Sequence, residues 1–201
     1  MKNSIFYVSG LALVMMAAAC GNNSTDSKQQ AENANDAKID SAKAADTTVA
    51  ASNMSDMKPD ADFAVAAADG GMMEVQLGKL AQEKGVHKQI KDLGALMVKD
   101  HSMAYDELTS AAKAKNITLP STLSDKCQKK VQELTEKKGA DFDKAYAEFM
   151  VDDHKEDIDA FKKEAEKGND SLLSSWAKGK VPVLEHHLMM AEQAKKAVKG
   201  K

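Results

Sequence analysis

The sequence predicts an all-α protein: a four-helix bundle whose long crossover carries a short extra helix. Three observations predict it. From about Pro59 to Val198 the apolar residues recur at threes and fours, and no segment shows the alternation of a strand. Glycines at Gly85 and Gly168 divide that pattern into two pairs of long segments with very short links, which make antiparallel neighbours. The stretch between the pairs is too long for a tight turn and has a short amphipathic pattern of its own.

The elements follow in chain order. Residues 1–19 read as an export signal, with Lys2, an apolar run from Ile5 to Ala19, and three alanines before Cys20. The run is shorter than the roughly 18 residues a membrane-spanning helix needs. Ala17-Ala18-Ala19-Cys20-Gly21 resembles a lipobox, in which Cys20 would be acylated and become the mature N-terminus. Several acyl chains, at about 0.8 kcal/mol per buried methylene, would hold the protein on a membrane. Residues 20–58 then read as a lipidated cysteine and a disordered tether, because Ala, Ser, Asn, Asp, Lys and Thr dominate and little can be buried.

The folded domain is expected over 59–201. An acidic cap at Pro59-Asp60 opens a first helix through Phe63, Ala67, Gly70, Glu74, Leu77 and Ala81, ending at Gly85. A second runs from about Val86 through Ile90, Leu93, Met97, His101, Ala104 and Leu108 to about Asn116. After Pro120 comes the short helix, Leu123 to about Lys138, closed by Gly139, with Cys127 on its apolar stripe as a small buried residue. The third long helix starts near Asp141 and reads Phe142, Tyr146, Met150, His154, Ile158 and Phe161. The fourth reads Leu173, Trp176, Val183, His187, Met190 and Ala194, with a break or kink expected at Gly179 and Pro182. An up-down bundle with an extra surface helix is the alternative topology.

Composition excludes one partner class. The net charge is −3 and every basic residue is lysine. A nucleic-acid surface normally shows a basic face and arginine forks, and neither is present. Glycine-rich phosphate loops, nucleophile elbows and Cys-x-x-Cys pairs are also missing from the sequence.

The candidate site comes from a repeated phrase. "MVKDH" ends at His101, "MVDDH" at His154 and "VLEHH" at His187, three of only five histidines. Extending each apolar seam places Glu74, His101, His154 and His187 on the buried faces of the four long helices, at depths that differ by roughly 4 to 7 Å. His87 is expected to be exposed and His186 to point off the seam. Buried ionisable groups are costly unless paired, hydrogen-bonded or bound to metal, so two readings stand. In one, the three imidazoles and Glu74 bind copper, zinc or iron, oriented by Asp100, Asp153 and Glu185, with Met97, Met150 and Met190 as available thioethers. In the other, Tyr105 and Tyr146 join the same residues in a metal-free hydrogen-bond network, and the methionines fill the core.

These residues resemble a family of exported bacterial proteins with a ferritin-like domain of unknown function, often labelled outer membrane proteins. The matching text is "DFAVAAADGGMMEVQLGKLA" from Asp62, "MVKDH" from Met97, "LP" at Leu119-Pro120, "GADFDKAYAEFMVDDH" from Gly139 and "VPVLEHHLMMA" from Val181. The resemblance implies a ferritin-like fold in the cell envelope, with recurring polar positions at Glu74, Asp100, His101, Asp143, His154 and His187. It implies no reaction. The Glu-x-x-His of di-iron proteins is not found at these places, so oxidase or iron-mineralising chemistry is not carried over. The reading at this point is an outer-membrane lipoprotein whose helical domain is a binding or structural module rather than an enzyme, or alternatively a metal storage, buffering or stress protein.

Overall fold

A computed structural model describes residues 26–44 and 56–199. Among them are six helices and no strand: α1 Ser27–Ala44, α2 Lys58–Lys84, α3 Lys88–Ala114, α4 Asp125–Glu136, α5 Gly139–Lys167 and α6 Ser171–Lys199. The export signal and Cys20 lie outside the described residues. No helix among those described is long and apolar enough to cross a membrane.

The most extensive packing is within two antiparallel hairpins, α2 with α3 and α5 with α6. The hairpins meet chiefly through α3 against α6 and α2 against α5, while α4 packs on α2 and α5. The main core is built from Leu77, Ile90, Leu93, Met97, Phe142, Tyr146 and Met150, all at most 1% exposed. Small residues bring α2 and α3 close: a Cβ on Gly94 would lie 2.6 Å from the Gly78 carbonyl oxygen, and one on Gly78 would lie 2.7 Å from the Gly94 carbonyl oxygen.

Each hairpin turn is caught by an aspartate of the other hairpin. Asp143, near the start of α5, accepts from the Val86 N–H at 3.0 Å and the His87 N–H at 2.7 Å. Asp60, near the start of α2, accepts from the Asn169 and Asp170 N–H groups. The expected acidic cap at Asp60 is thus corrected. Its carboxylate serves the N–H groups ahead of α6, while Met57 precedes α2 without a side-chain cap. Asp143, known only from the resemblance, is a latch on the α2–α3 turn and lies outside the polar centre.

Three further expectations are corrected. The segment read as a tether contains α1, because Ala31, Asn35 and Ile39, spaced by fours, form one narrow buried stripe. The Asn35 amide donates to the Thr118 carbonyl at 2.9 Å, and its oxygen accepts from the Thr118 N–H at 2.7 Å. Gly139 opens α5 at φ 56° instead of ending the short helix, a conformation that favours glycine. The break expected at Gly179 and Pro182 does not occur: helix α6 is continuous through Pro182, which lies on the exposed side, where water can take the carbonyl bond that proline leaves unmade.

Cys127 lies where its stripe placed it, 8% exposed. Its thiol donates to Asp69 Oδ2 at 3.2 Å, and burial first, then the nearby Asp69 carboxylate, push it up to about 12. A thiol held protonated in this way is a poor nucleophile. Asp69 also accepts from the Ser124 N–H, so this pair fixes the start of α4 on α2.

Candidate functional site

All four long helices deliver their seam residue to one place. Glu74 from α2, His154 from α5 and His187 from α6 are at most 1% exposed, and His101 from α3 is 7% exposed. The ring centroids of His101, His154 and His187 lie 5.2 to 5.7 Å apart. Their nitrogens include a set in which every atom is within 4.8 Å of the others.

Hydrogen bonds on the far side of each ring fix what the near side can do. His154 Nδ1 lies 3.0 Å from the Met150 carbonyl oxygen, so it carries the proton and leaves Nε2 as a lone pair. His187 Nε2 lies 3.0 Å from Asp100 Oδ2, so it donates to that carboxylate and leaves Nδ1 as a lone pair. These two lone pairs face each other at 3.3 Å, and Glu74 Oε1 stands 3.4 Å from His154 Nε2. The two imidazoles therefore face each other as acceptors, and the group placed to offer them a proton is Glu74.

The electrostatics sharpen that conflict. Burial lowers the imidazoles to about 4 for His101, about 3 for His154 and about 4 for His187, so all three are neutral at pH 7. Burial also raises Glu74 to about 8. A neutral Glu74 has one proton to give, and His101 Nδ1, at 2.8 Å from Oε2, competes for it with His154. Wherever that proton goes, none lies between His154 Nε2 and His187 Nδ1.

Polar atoms around the centre are left without partners. Glu74 Oε1, His101 Nε2 and the Tyr146 hydroxyl are buried with no hydrogen-bond partner among the described residues. Tyr146 instead stacks on Phe142, with ring centroids 5.8 Å apart. The metal-free network thus lacks the tyrosine bond it was expected to use, and Tyr105, half-buried, lines a neighbouring cavity.

The flanking residues divide. Asp100 orients an imidazole, though it reaches His187 on α6 rather than a ring of its own helix. Asp153 comes within ligand distance of Glu74 and His154, and burial followed by the charge of Glu74 pushes it up to about 9. Glu185 does not orient the site: it lies on the surface and pairs with Lys162 at 2.8 Å. Two residues before His187, it sits about 200 degrees around the helix. Met97 and Met150 are buried in the apolar core, and Met190 packs partly buried against it. His186 is exposed, while His87, expected to be exposed too, is half-buried and caps α3 by accepting from the Gln89 N–H.

One residue was missed. Asp157 lines the same space as Glu74, Asp100, His101 and His187, and burial, followed by the Glu74 charge, raises its carboxyl to about 8. The signal was in the sequence: the spacing from Asp60 to Glu74 and on to Gly85 is repeated from Asp143 to Asp157 and on to Gly168. Asp157 is the counterpart of Glu74 in the second hairpin.

No curated protein and no solved structure matches the chain. A family model described as Domain of unknown function (DUF4142) matches residues 43–194, from the end of α1 into α6. That match includes every residue of the polar centre and spans most of the sequence, and the chain belongs to this family.

Proposed function

We propose that the protein is a metal-binding module of the bacterial cell envelope, holding one transition-metal ion among Glu74, His101, His154 and His187 for storage, buffering or stress defence. The observation that carries this reading is the 3.3 Å approach of the His154 Nε2 and His187 Nδ1 lone pairs with no proton between them, beside Glu74 Oε1. A metal cation would take both lone pairs together with the Glu74 carboxylate. Neutral imidazoles with outer nitrogens bonded to a carbonyl and a carboxylate are arranged as metal-ligating histidines usually are. An imidazole and carboxylate set suits zinc, copper(II) or iron. Binding such an ion would ionise Glu74 and release its proton.

The surrounding architecture is read in the same way. Two hairpins joined by a crossover that carries α4 support a ferritin-like four-helix domain. Acylation at Cys20 would anchor it to a membrane, with the outer membrane as the proposed location and the N-terminal lipid as the membrane contact. The docking of α1 makes the attachment shorter than a tether running to residue 58.

A metal-free binding or structural module is the second reading, favoured by the neutral Glu74, which can serve as a donor. Elemental analysis separates the two. The protein would be loaded separately with zinc, copper and iron(II), then dialysed, beside a His101→Ala, His154→Ala double variant. Retention of about one ion by the wild type and none by the variant supports metal handling. Retention by neither removes the metal reading.

A further inference from the structure

The polar centre has a second set of donors. One oxygen each of Glu74 and Asp153 and one ring nitrogen of His154 all lie within 4.8 Å of one another, and this set shares only His154 with the set of three imidazoles. The two differ in chemistry. Three imidazoles suit zinc or copper, whereas two carboxylates and one imidazole suit a harder divalent ion such as manganese(II).

Helix geometry explains why the two sets meet at one ring. Asp153 and His154 are neighbours on α5, so their side chains leave the helix about 100 degrees apart. His154 faces both His187 and Glu74, with Asp153 beside it. Asp157, one turn further along α5, is close as well: the Glu74 charge acts on Asp153 and Asp157, and the Asp157 charge acts on Asp153. Three carboxyls thus stand together. Among the described residues no lysine forms an ion pair with any of them, and Lys126 acts on Asp153 from beyond that range. Glu74 is 1% exposed, and its Oε1, 3.4 Å from His154 Nε2, is buried without a hydrogen-bond partner. A buried acceptor in that state is costly, and a cation between Glu74 and Asp153 would remove the cost.

We infer that Glu74, Asp153 and His154 form a second ion position, for a hard divalent cation of the manganese(II) class, and that its occupation excludes the imidazole-bound ion. The exclusion follows from His154. Its Nδ1 donates to the Met150 carbonyl, so Nε2 is its one nitrogen with a lone pair, and one lone pair serves one ion. The chain therefore holds either ion but not both. Zinc binds nitrogen and oxygen ligands more tightly than manganese does, so zinc displaces manganese, and the harder ion is held only while zinc is scarce.

This inference rests on the metal reading of the same centre, and zinc binding tests that reading separately. The full chain, stripped of metal, would be titrated with manganese(II), followed by the electron paramagnetic resonance signal of the free ion, and then with zinc. One manganese per chain is expected, released one for one by zinc. Asp153→Asn keeps the shape but removes an anionic ligand, and should weaken manganese binding by about tenfold or more while changing zinc binding by less than about threefold. His187→Gln removes a ligand of the imidazole set alone and should do the reverse. The inference is overturned if zinc binds and manganese does not, if the two ions occupy one chain together, if zinc fails to displace manganese, or if Asp153→Asn weakens both ions alike or neither. Zinc binding without manganese would remove only this inference. Failure of both ions would remove the metal reading and this inference with it.

Discussion

Replacing Glu164 with glutamine should stabilise the protein at alkaline pH and do little in acid. Glu164 is 6% exposed, and its Oε1 has no hydrogen-bond partner among the described residues. Burial first, then the charges of Asp60 and Asp170, raise its carboxyl from 4.5 to about 7. Between those values the folded state holds a proton that the unfolded state has lost. Stability therefore falls as pH rises through this window, and the full cost is present above pH 7. At full value the gap corresponds to about 3 kcal/mol, and screening by water in the pocket that Glu164 lines reduces it to about 1 to 2 kcal/mol. Glutamine matches the shape and has no charge to bury, so Glu164→Gln should gain about 1 to 2 kcal/mol at pH 8 and under about 0.5 kcal/mol at pH 5. Urea unfolding followed by far-ultraviolet circular dichroism at the two pH values reads the difference directly. An equal gain at both would mean that the amide makes a new contact, and no gain at pH 8 would mean that the carboxylate is not penalised. Either result refutes the reasoning.

Other substitutions probe the elements that place the site. Gly94→Ala would drive a methyl group into the Gly78 carbonyl and should cost about 1 to 3 kcal/mol by chemical denaturation, with Ala95→Gly as a control for backbone effects. Asp143→Ala removes the acceptor for the Val86 and His87 N–H groups and should cost about 2 to 4 kcal/mol, whereas Asp143→Asn keeps one acceptor and should lose less. Asn35→Ala breaks both bonds to Thr118, an expected loss of about 1 to 2 kcal/mol confined to α1. Hydrogen exchange should then show faster opening of residues 27–44 and unchanged protection in α5.

The long helices were legible because each carries an apolar seam at threes and fours. The same seams placed Glu74, His101, His154 and His187 correctly, since a residue that completes a buried stripe can only face inward. Helix α1 was not legible. Its buried stripe is one residue wide, with alanine, asparagine and isoleucine, and composition outweighed it. Its contacts also lie far along the chain, at Thr118 and Ser121, where no local pattern points to them. Glu185 shows the opposite error. Being near His187 in sequence suggested contact, but two positions on a helix point to nearly opposite sides. Asp157 needed a comparison between the two hairpins, because its own neighbourhood reads as an acidic solvated face.

That comparison also bears on how a buried polar centre can be held to ångström tolerance. Its side chains come from four different helices, so a slip of one residue along any axis, roughly 1.5 Å, would separate the facing nitrogens. Apolar packing alone tolerates such shifts poorly but does not specify one register. The aspartate latches do. Asp143 fixes the α2–α3 turn against the start of α5, and Asp60 fixes the α5–α6 turn against the start of α2. Each carboxylate accepts directed N–H bonds that a shifted hairpin would lose. With both ends pinned, the middle of each helix has little freedom to slide, and the imidazoles keep their spacing without a bond between any two of them that the tautomers allow. The latches therefore belong to the geometry of the centre although neither touches it.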